Sequence, residues 1–299
     1  AHQVPQTRAG MTTRRPYVGR FAPSPTGRLH MGSMVAALAS WLDARSQGGT
    51  WLLRMEDLDP PREMPGAEDD ILRTLEAFGL TWDGEVIYQS HRHALYAEAL
   101  DALKREGHAF GCICTRKDLA STSVNGLYPG TCKAGLPQGE SPRSWRFDMP
   151  LEAQSWLDHG RGPSTVAGEE LGDFVLKRAD GHWAYHLAVV VDDAAQDVTH
   201  VVRGADLWTS TAAHMALQHA LNLRTPEYVH VPLVTNDLGQ KLSKQTHARP
   251  VLPSDAAHVL VMALRALGQS VPDLDEPQAM LQEAVASWDV SKLRGESGQ

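Results

Sequence analysis

Two short groups of residues in this sequence have the types and spacing that handle a polyphosphate. His30-x-Gly32 follows a loop dense in proline and glycine, Ala22-Pro-Ser-Pro-Thr-Gly27, and stands where a helix opens. A helix start offers backbone N–H groups and the positive end of a dipole to an anion. Gly32 lets a ligand approach the backbone, and His30 adds a side-chain donor. Lys241-Leu-Ser-Lys244 lies in a basic loop led by Gly239. Its ammonium groups are point charges that can follow charge developing on a leaving pyrophosphate. Taken singly, the first group reads as a surface histidine capping a turn and the second as a solvated loop. Their positions change that reading, because one follows the first strand and the other the last strand of an α/β pattern. In a doubly wound sheet both can face one nucleotide across the switch point. A third group, Cys112-x-Cys114 with Cys132, favours zinc over a disulfide framework in a chain with an odd cysteine count and no secretory features. Three thiolates leave one tetrahedral position open, for which His108 is the generic candidate. The bland alternative is three buried thiols with no metal.

The elements that must position these groups alternate. A short strand at 17–21 precedes the Pro/Gly loop. Met34, Leu38, Trp41 and Leu42 then share one face of a helix over 33–46. A strand at 50–55 ends in the acidic, proline-stopped loop 56–62. A helix at 68–78 closed by Gly79, a strand at 85–89 and a helix at 91–106 capped by Ser90 follow. Regularity fades over 112–172, which is rich in Gly, Pro and Ser and has some β content near 144–149. The alternation resumes with 174–178, a helix at 185–193, a strand at 198–203, a helix at 207–221 and a strand at 228–233. Helices at 254–267 and 276–288 finish the chain. This order predicts an α/β fold with a Rossmann-like, doubly wound parallel sheet. The expected organisation is a flexible arm at 1–15, a catalytic domain in two halves at 16–111 and 173–245, an inserted zinc-binding subdomain at 112–172, and a short helical C-terminal region at 246–299. Met11 is a candidate natural start.

Composition removes several classes. With 299 residues, 42% hydrophobic and 21% charged, the chain can build one large or two smaller soluble domains. No apolar run is long enough for a membrane-spanning helix, and the polar, basic start is no secretory signal. A net charge of −8 argues against a protein that coats nucleic acid, while leaving room for a local basic surface. A cytoplasmic location and no membrane partner are expected.

The segment Arg20 to Ser33 and the segment Lys241 to Lys244 resemble the two ATP-binding signatures of class I aminoacyl-tRNA synthetases. Arg54-Met-Glu-Asp-Leu-Asp-Pro-Pro-Arg62 and Val202-Arg-Gly-Ala-Asp-Leu-Trp208 narrow the resemblance to the glutamyl/glutaminyl branch. The form Phe21-Ala-Pro-Ser-Pro-Thr-Gly27 is closer to the glutamyl type. Only 55 residues follow Lys244, where a full glutamyl-tRNA synthetase carries a large helical anticodon-binding region. The sequence therefore resembles the glutamyl-queuosine tRNA(Asp) synthetase family, the stand-alone catalytic-core paralogue, over residues 17–245.

That resemblance implies a ligase-type enzyme that activates glutamate with ATP and Mg²⁺ without tRNA. It then transfers glutamate to the queuosine base in the anticodon loop of tRNA(Asp). The catalytic residues implied are His30 and Lys244, with Gly32, Ser33 and Lys241 completing the ATP site. The metal set implied is Cys112, Cys114, Tyr128 and Cys132, one structural zinc per chain, since the family uses a Tyr-x-x-x-Cys pair. Glutamate itself requires arginine for its carboxylates and an acid for its ammonium. The family's amino-acid site falls on Arg20, Phe21, Ala22, Pro23, Ser24, Glu56, Tyr185 and Arg203. Two departures stand out. Ser33 replaces the second histidine of the general His-x-Gly-His signature, and Gln245 replaces a serine after Lys244. A monomer is expected. The rivals are a truncated glutamyl-tRNA synthetase charging a tRNA 3′ end, a non-catalytic tRNA-binding paralogue, and a generic adenylyltransferase.

Overall fold

The first strand, β1 (Val18–Phe21), runs into the Pro/Gly loop and then into α1 (Met31–Ser46). A computed structural model describes residues 15–234 and 249–294. Helix α1 opens two residues earlier than the apolar pattern suggests, because the His30 side chain itself caps it. The helix is rich in Ala, Leu and Met, which lose little entropy in a helix. Met34, Leu38 and Leu42 are fully buried, so α1 is a central rather than a surface helix. Truncating any of the three to Ala would cost about 2–5 kcal/mol.

Strand β2 (Thr50–Met55) pairs parallel with β1, and after α2 (Ala67–Phe78) the two-residue β3 (Ile87–Tyr88) pairs parallel with β2. Gly79 ends α2 at φ +82°, a left-handed position that favours glycine. Helix α3 (His93–Arg105) starts after a single 3₁₀ turn. Ser90 does not cap it, contrary to the sequence reading. Its N–H and hydroxyl donate instead to Asp57, at 2.9 and 2.6 Å, tying that turn to the loop after β2.

The strands that immediately follow α3 pair antiparallel. Strand β4 (Ala109–Cys112), α4 (Arg116–Thr122) and β5 (Ser144–Phe147) precede the hairpin of β6 (Ala153–Asp158) and β7 (Gly162–Ala167). Strand β8 (Val175–Lys177) pairs antiparallel with β5, as β4 does. Residues 174–178, read as a return to the α/β alternation, thus belong to the antiparallel sheet. That sheet extends past 112–172 on both sides. Composition marks where regularity fades but not which sheet a short strand joins.

The parallel layer resumes with α5 (Tyr185–Ala195), β9 (His200–Gly204), α6 (Ser210–Ala220) and β10 (Glu227–Val231). Strands β9 and β10 pair parallel with His230 opposite Arg203. The Thr199 N–H donates to the Val18 carbonyl at 2.9 Å, joining the start of β9 to β1. The parallel strands thus form two groups, β1-β2-β3 and β10-β9, set side by side through β1 and β9, and the chain winds outward both ways from the β1/β9 junction. Among the described residues, backbone pairing across that junction stops at Val18. A crevice therefore opens at the carboxyl ends, where α/β sheets bind ligands. The closing helices α7 (Ala256–Ala266) and α8 (Pro277–Ser287) bury Leu260, Leu264 and Met280 in the same core as α1. No helix among the described residues is long and apolar enough to cross a membrane.

Candidate active site

The crevice holds a cleft of about 280 Å³. Around it stand Arg20, Phe21, Ala22, Pro23 and Ser24 from the end of β1, Glu56 after β2, Tyr185 at the start of α5, and Arg203 near the end of β9, with His30 and Ser33 at the α1 terminus. The structure thus gathers these sequence-predicted residues around one space. A second cleft of about 220 Å³ adjoins it through His30 and Ser33, and adds Gly32, Asp206 and the segment 231–234. Lys241 and Lys244 lie outside the described residues. The chain returns at 249, where Pro250 bridges to His30 and the Val251 N–H donates to the Leu29 carbonyl at 2.9 Å.

At the α1 terminus the Gly32 N–H donates to His30 Nδ1 at 3.1 Å. A ring nitrogen that accepts carries no proton, so the hydrogen sits on Nε2. That nitrogen lies 3.2 Å from the Ser33 hydroxyl. His30 is therefore both the cap and a neutral donor at the mouth of a helix, and Ser33 is its immediate partner.

The next layer is ionic. The Arg20 guanidinium lies bidentate on Asp193, Nε to Oδ1 at 3.0 Å and Nη2 to Oδ2 at 2.9 Å. Arg54, fully buried, donates to Asp193 at 2.8 Å, to Gln196 at 2.7 Å and to Glu56 Oε2 at 3.3 Å. Burial would raise the Asp193 carboxyl, but Arg20 and Arg54 together hold it down at about 2. Glu56 goes the other way. Burial pushes it up to about 7, against the opposing pull of Arg54 and Arg20. Gln89 donates to the same Oε2 at 3.0 Å, and the Glu56 N–H donates to the Pro23 carbonyl at 2.9 Å. The Pro/Gly loop and the β2 end thereby fix each other. Tyr185, 37% exposed, stands at the rim.

Arg203 differs from Arg20. It is 4% exposed, yet among the described residues it forms no ion pair. Its donors meet His230 Nε2 at 3.1 Å, His214 Nδ1 at 3.0 Å and Thr211 Oγ1 at 2.9 Å. All are uncharged acceptors. A buried guanidinium without a carboxylate is costly, and it is an arrangement ready for an anion.

Sequence reading missed Asp193, Asp192 and Gln89 as the support of this pocket. A signal existed. Asp192 and Asp193 close the otherwise apolar α5, where the helix dipole disfavours acids. Such a pair calls for buried cationic partners. Asp192 accepts from Arg92, Tyr96 and Gln89 at 2.6, 2.6 and 2.9 Å.

The cysteine cluster is separate. The sulfurs of Cys112, Cys114 and Cys132 lie within 4.8 Å of one another, with Cys114 and Cys132 3.7 Å apart. The Tyr128 hydroxyl is 3.3 Å from Cys112 Sγ and 4.0 Å from Cys114 Sγ. Four donor atoms converge, so the set can hold a metal. His108 is not part of it; its ring lies tilted against Phe147, the centroids 6.5 Å apart. Burial raises the Cys112 thiol, but hydrogen bonding led by Tyr128 brings it down to about 7, while burial and its sulfur neighbours push Cys114 up to about 11.

Fold and cleft define a class. Residues 17–273 match the family model described as tRNA synthetases class I (E and Q), catalytic domain. Enzymes of this class are ligases that use ATP with Mg²⁺. The chain is 53% identical over 289 residues to a Glutamyl-Q tRNA(Asp) synthetase of Chromobacterium violaceum, covering 93% of this chain and 95% of that one. It is 54% identical over 265 residues to one of Dechloromonas aromatica, covering 86% and 88%. The chain belongs to the glutamyl-Q tRNA(Asp) synthetase family. A crystal structure of a glutamate-tRNA synthetase from Elizabethkingia anophelis is similar, with a TM-score of 0.79 at 29% identity. That match covers 93% of this chain and 66% of the solved one.

Proposed function

We propose that this chain condenses glutamate with ATP to glutamyl-adenylate and then transfers the glutamyl group to the queuosine base of tRNA(Asp). The observation that carries this reading is one cleft holding an uncompensated buried cation, Arg203, and a buried acid, Glu56, beside the His30 helix terminus. Glutamate brings two carboxylates and one ammonium. Arg203 and Arg20, which both line the cleft, serve the carboxylates. Glu56 serves the ammonium through Oε1, since Arg54 and Gln89 both occupy Oε2. The substrate α-carboxylate oxygen attacks the α-phosphorus of ATP, the bond to the bridging oxygen breaks, and pyrophosphate leaves. Positioning and charge stabilisation carry such a reaction. His30 and Ser33 hold phosphate oxygens in the adjoining cleft, where Gly32 lets the ligand approach the backbone. Lys241 and Lys244 neutralise the departing pyrophosphate. In the second step a queuosine hydroxyl attacks the carbonyl carbon and AMP leaves.

The cysteine cluster fits zinc. A tetrahedral ion with Zn–S near 2.3 Å has S–S edges of about 3.8 Å, close to the 3.7 Å between Cys114 and Cys132. Cys112, Cys114, Cys132 and Tyr128 would hold it, and its role is to brace the loop between β4 and β5. The test of the function is transfer of labelled glutamate to two tRNA preparations. Label is expected on tRNA(Asp) containing queuosine and absent from tRNA made without it. Label on the queuosine-free tRNA would favour 3′-end charging instead.

A further inference from the structure

We propose that His230, His214 and Asp158 are positioning residues that hold Arg203 by uncharged acceptors, so that its full positive charge selects an anionic substrate over the corresponding amide. This rests on the glutamate reading above. An arginine only donates, so each imidazole nitrogen facing it must present a lone pair. His230 meets Arg203 through Nε2, which places its hydrogen on Nδ1, and Nδ1 faces Asp158 Oδ2. The other oxygen of Asp158 accepts the N–H groups of His230, Gly160 and Arg161 at 3.0, 2.9 and 2.9 Å. Asp158 therefore fixes the tautomer of His230 from the β6–β7 turn, with its charge one imidazole away from the guanidinium. Gly160 makes this approach possible, because a Cβ there would collide with the His230 carbonyl. His214 meets Arg203 through Nδ1, and its Nε2 faces His186 Nδ1 at 2.9 Å. Burial, then the Arg203 charge, keep both His214 and His186 neutral, His186 at about 4.

The contrast with Arg20 gives the arrangement its meaning. Asp193 cancels the charge of Arg20, whereas three neutral groups orient Arg203 and cancel nothing. A carboxylate at 214 or 230 would bury the guanidinium more cheaply and would make the pocket indifferent to substrate charge.

The experiment is steady-state ATP–pyrophosphate exchange on the whole chain with glutamate and with glutamine, alongside thermal unfolding. His230→Leu is expected to raise the KM for glutamate about tenfold or more, with the KM for ATP nearly unmoved. His230→Gln, which can still accept from Arg203 and donate to Asp158, is expected to recover most of that loss. His214→Glu is expected to lower the preference for glutamate over glutamine about tenfold. Asp158→Asn, nearly isosteric, replaces His230→Leu if that variant does not fold. Folded variants with unchanged glutamate KM and unchanged glutamate-to-glutamine preference overturn the proposal alone. An unaltered protein without glutamate-dependent exchange overturns the functional reading and this proposal with it.

Discussion

Arg20 and Asp193 are joined by two parallel hydrogen bonds at 3.0 and 2.9 Å, and Asp193 also takes Arg54 at 2.8 Å. One carboxylate near the end of α5 thus pairs with two buried guanidinium groups from neighbouring strands. Asp193→Ala would leave Arg20 without its ion partner and Arg54 with only Glu56 and Asp192, and breaking buried pairs of this kind costs about 3–5 kcal/mol. Urea unfolding is expected to show a loss of that size.

Glu56 gives the cleft a pH dependence. Its carboxyl is raised to about 7, so it is ionised only above that pH. In the role proposed for Glu56, only the ionised form pairs with the substrate ammonium. The KM for glutamate is therefore expected to climb as pH falls below about 7, approaching roughly tenfold per pH unit. Glu56→Gln is expected to raise KM throughout and flatten the profile. The check is the KM profile for glutamate in both proteins.

The sequence resolved the strands that carry Arg20 and Arg203, because short apolar runs ended by charge or glycine are local signals. Glu56 was legible for the same reason, at the point where the β2 run meets proline. What stayed hidden was long-range. Asp158 meets His230 across 72 residues and Arg20 meets Asp193 across 173, and no local periodicity encodes such a pairing. Ser90 misled because a good helix cap is equally good at tying a turn to Asp57. Residues 174–178 misled because β8 has only three residues, too few to show which sheet it joins.

The cysteine cluster predicts bound metal. Protein purified without chelator is expected to carry about one zinc ion per chain by elemental analysis. Cys132→Ser is expected to lower that content and to expose residues 112–143 to limited proteolysis. Full occupancy in the variant would contradict the assignment.

Lys244 is assigned to the leaving pyrophosphate. Lys244→Ala is expected to slow exchange by about 100-fold or more, the scale of losing one charge-stabilising donor. Its unfolding midpoint should stay at the parent value. An unchanged exchange rate would remove Lys244 from the reaction.

The measurement that bears most directly on the central claim is ATP–pyrophosphate exchange with glutamate and no tRNA. Exchange is expected to depend on glutamate, to be far weaker with glutamine, and to be lost in Arg203→Ala. Absence of exchange until tRNA is added, or exchange indifferent to Arg203, would contradict that claim.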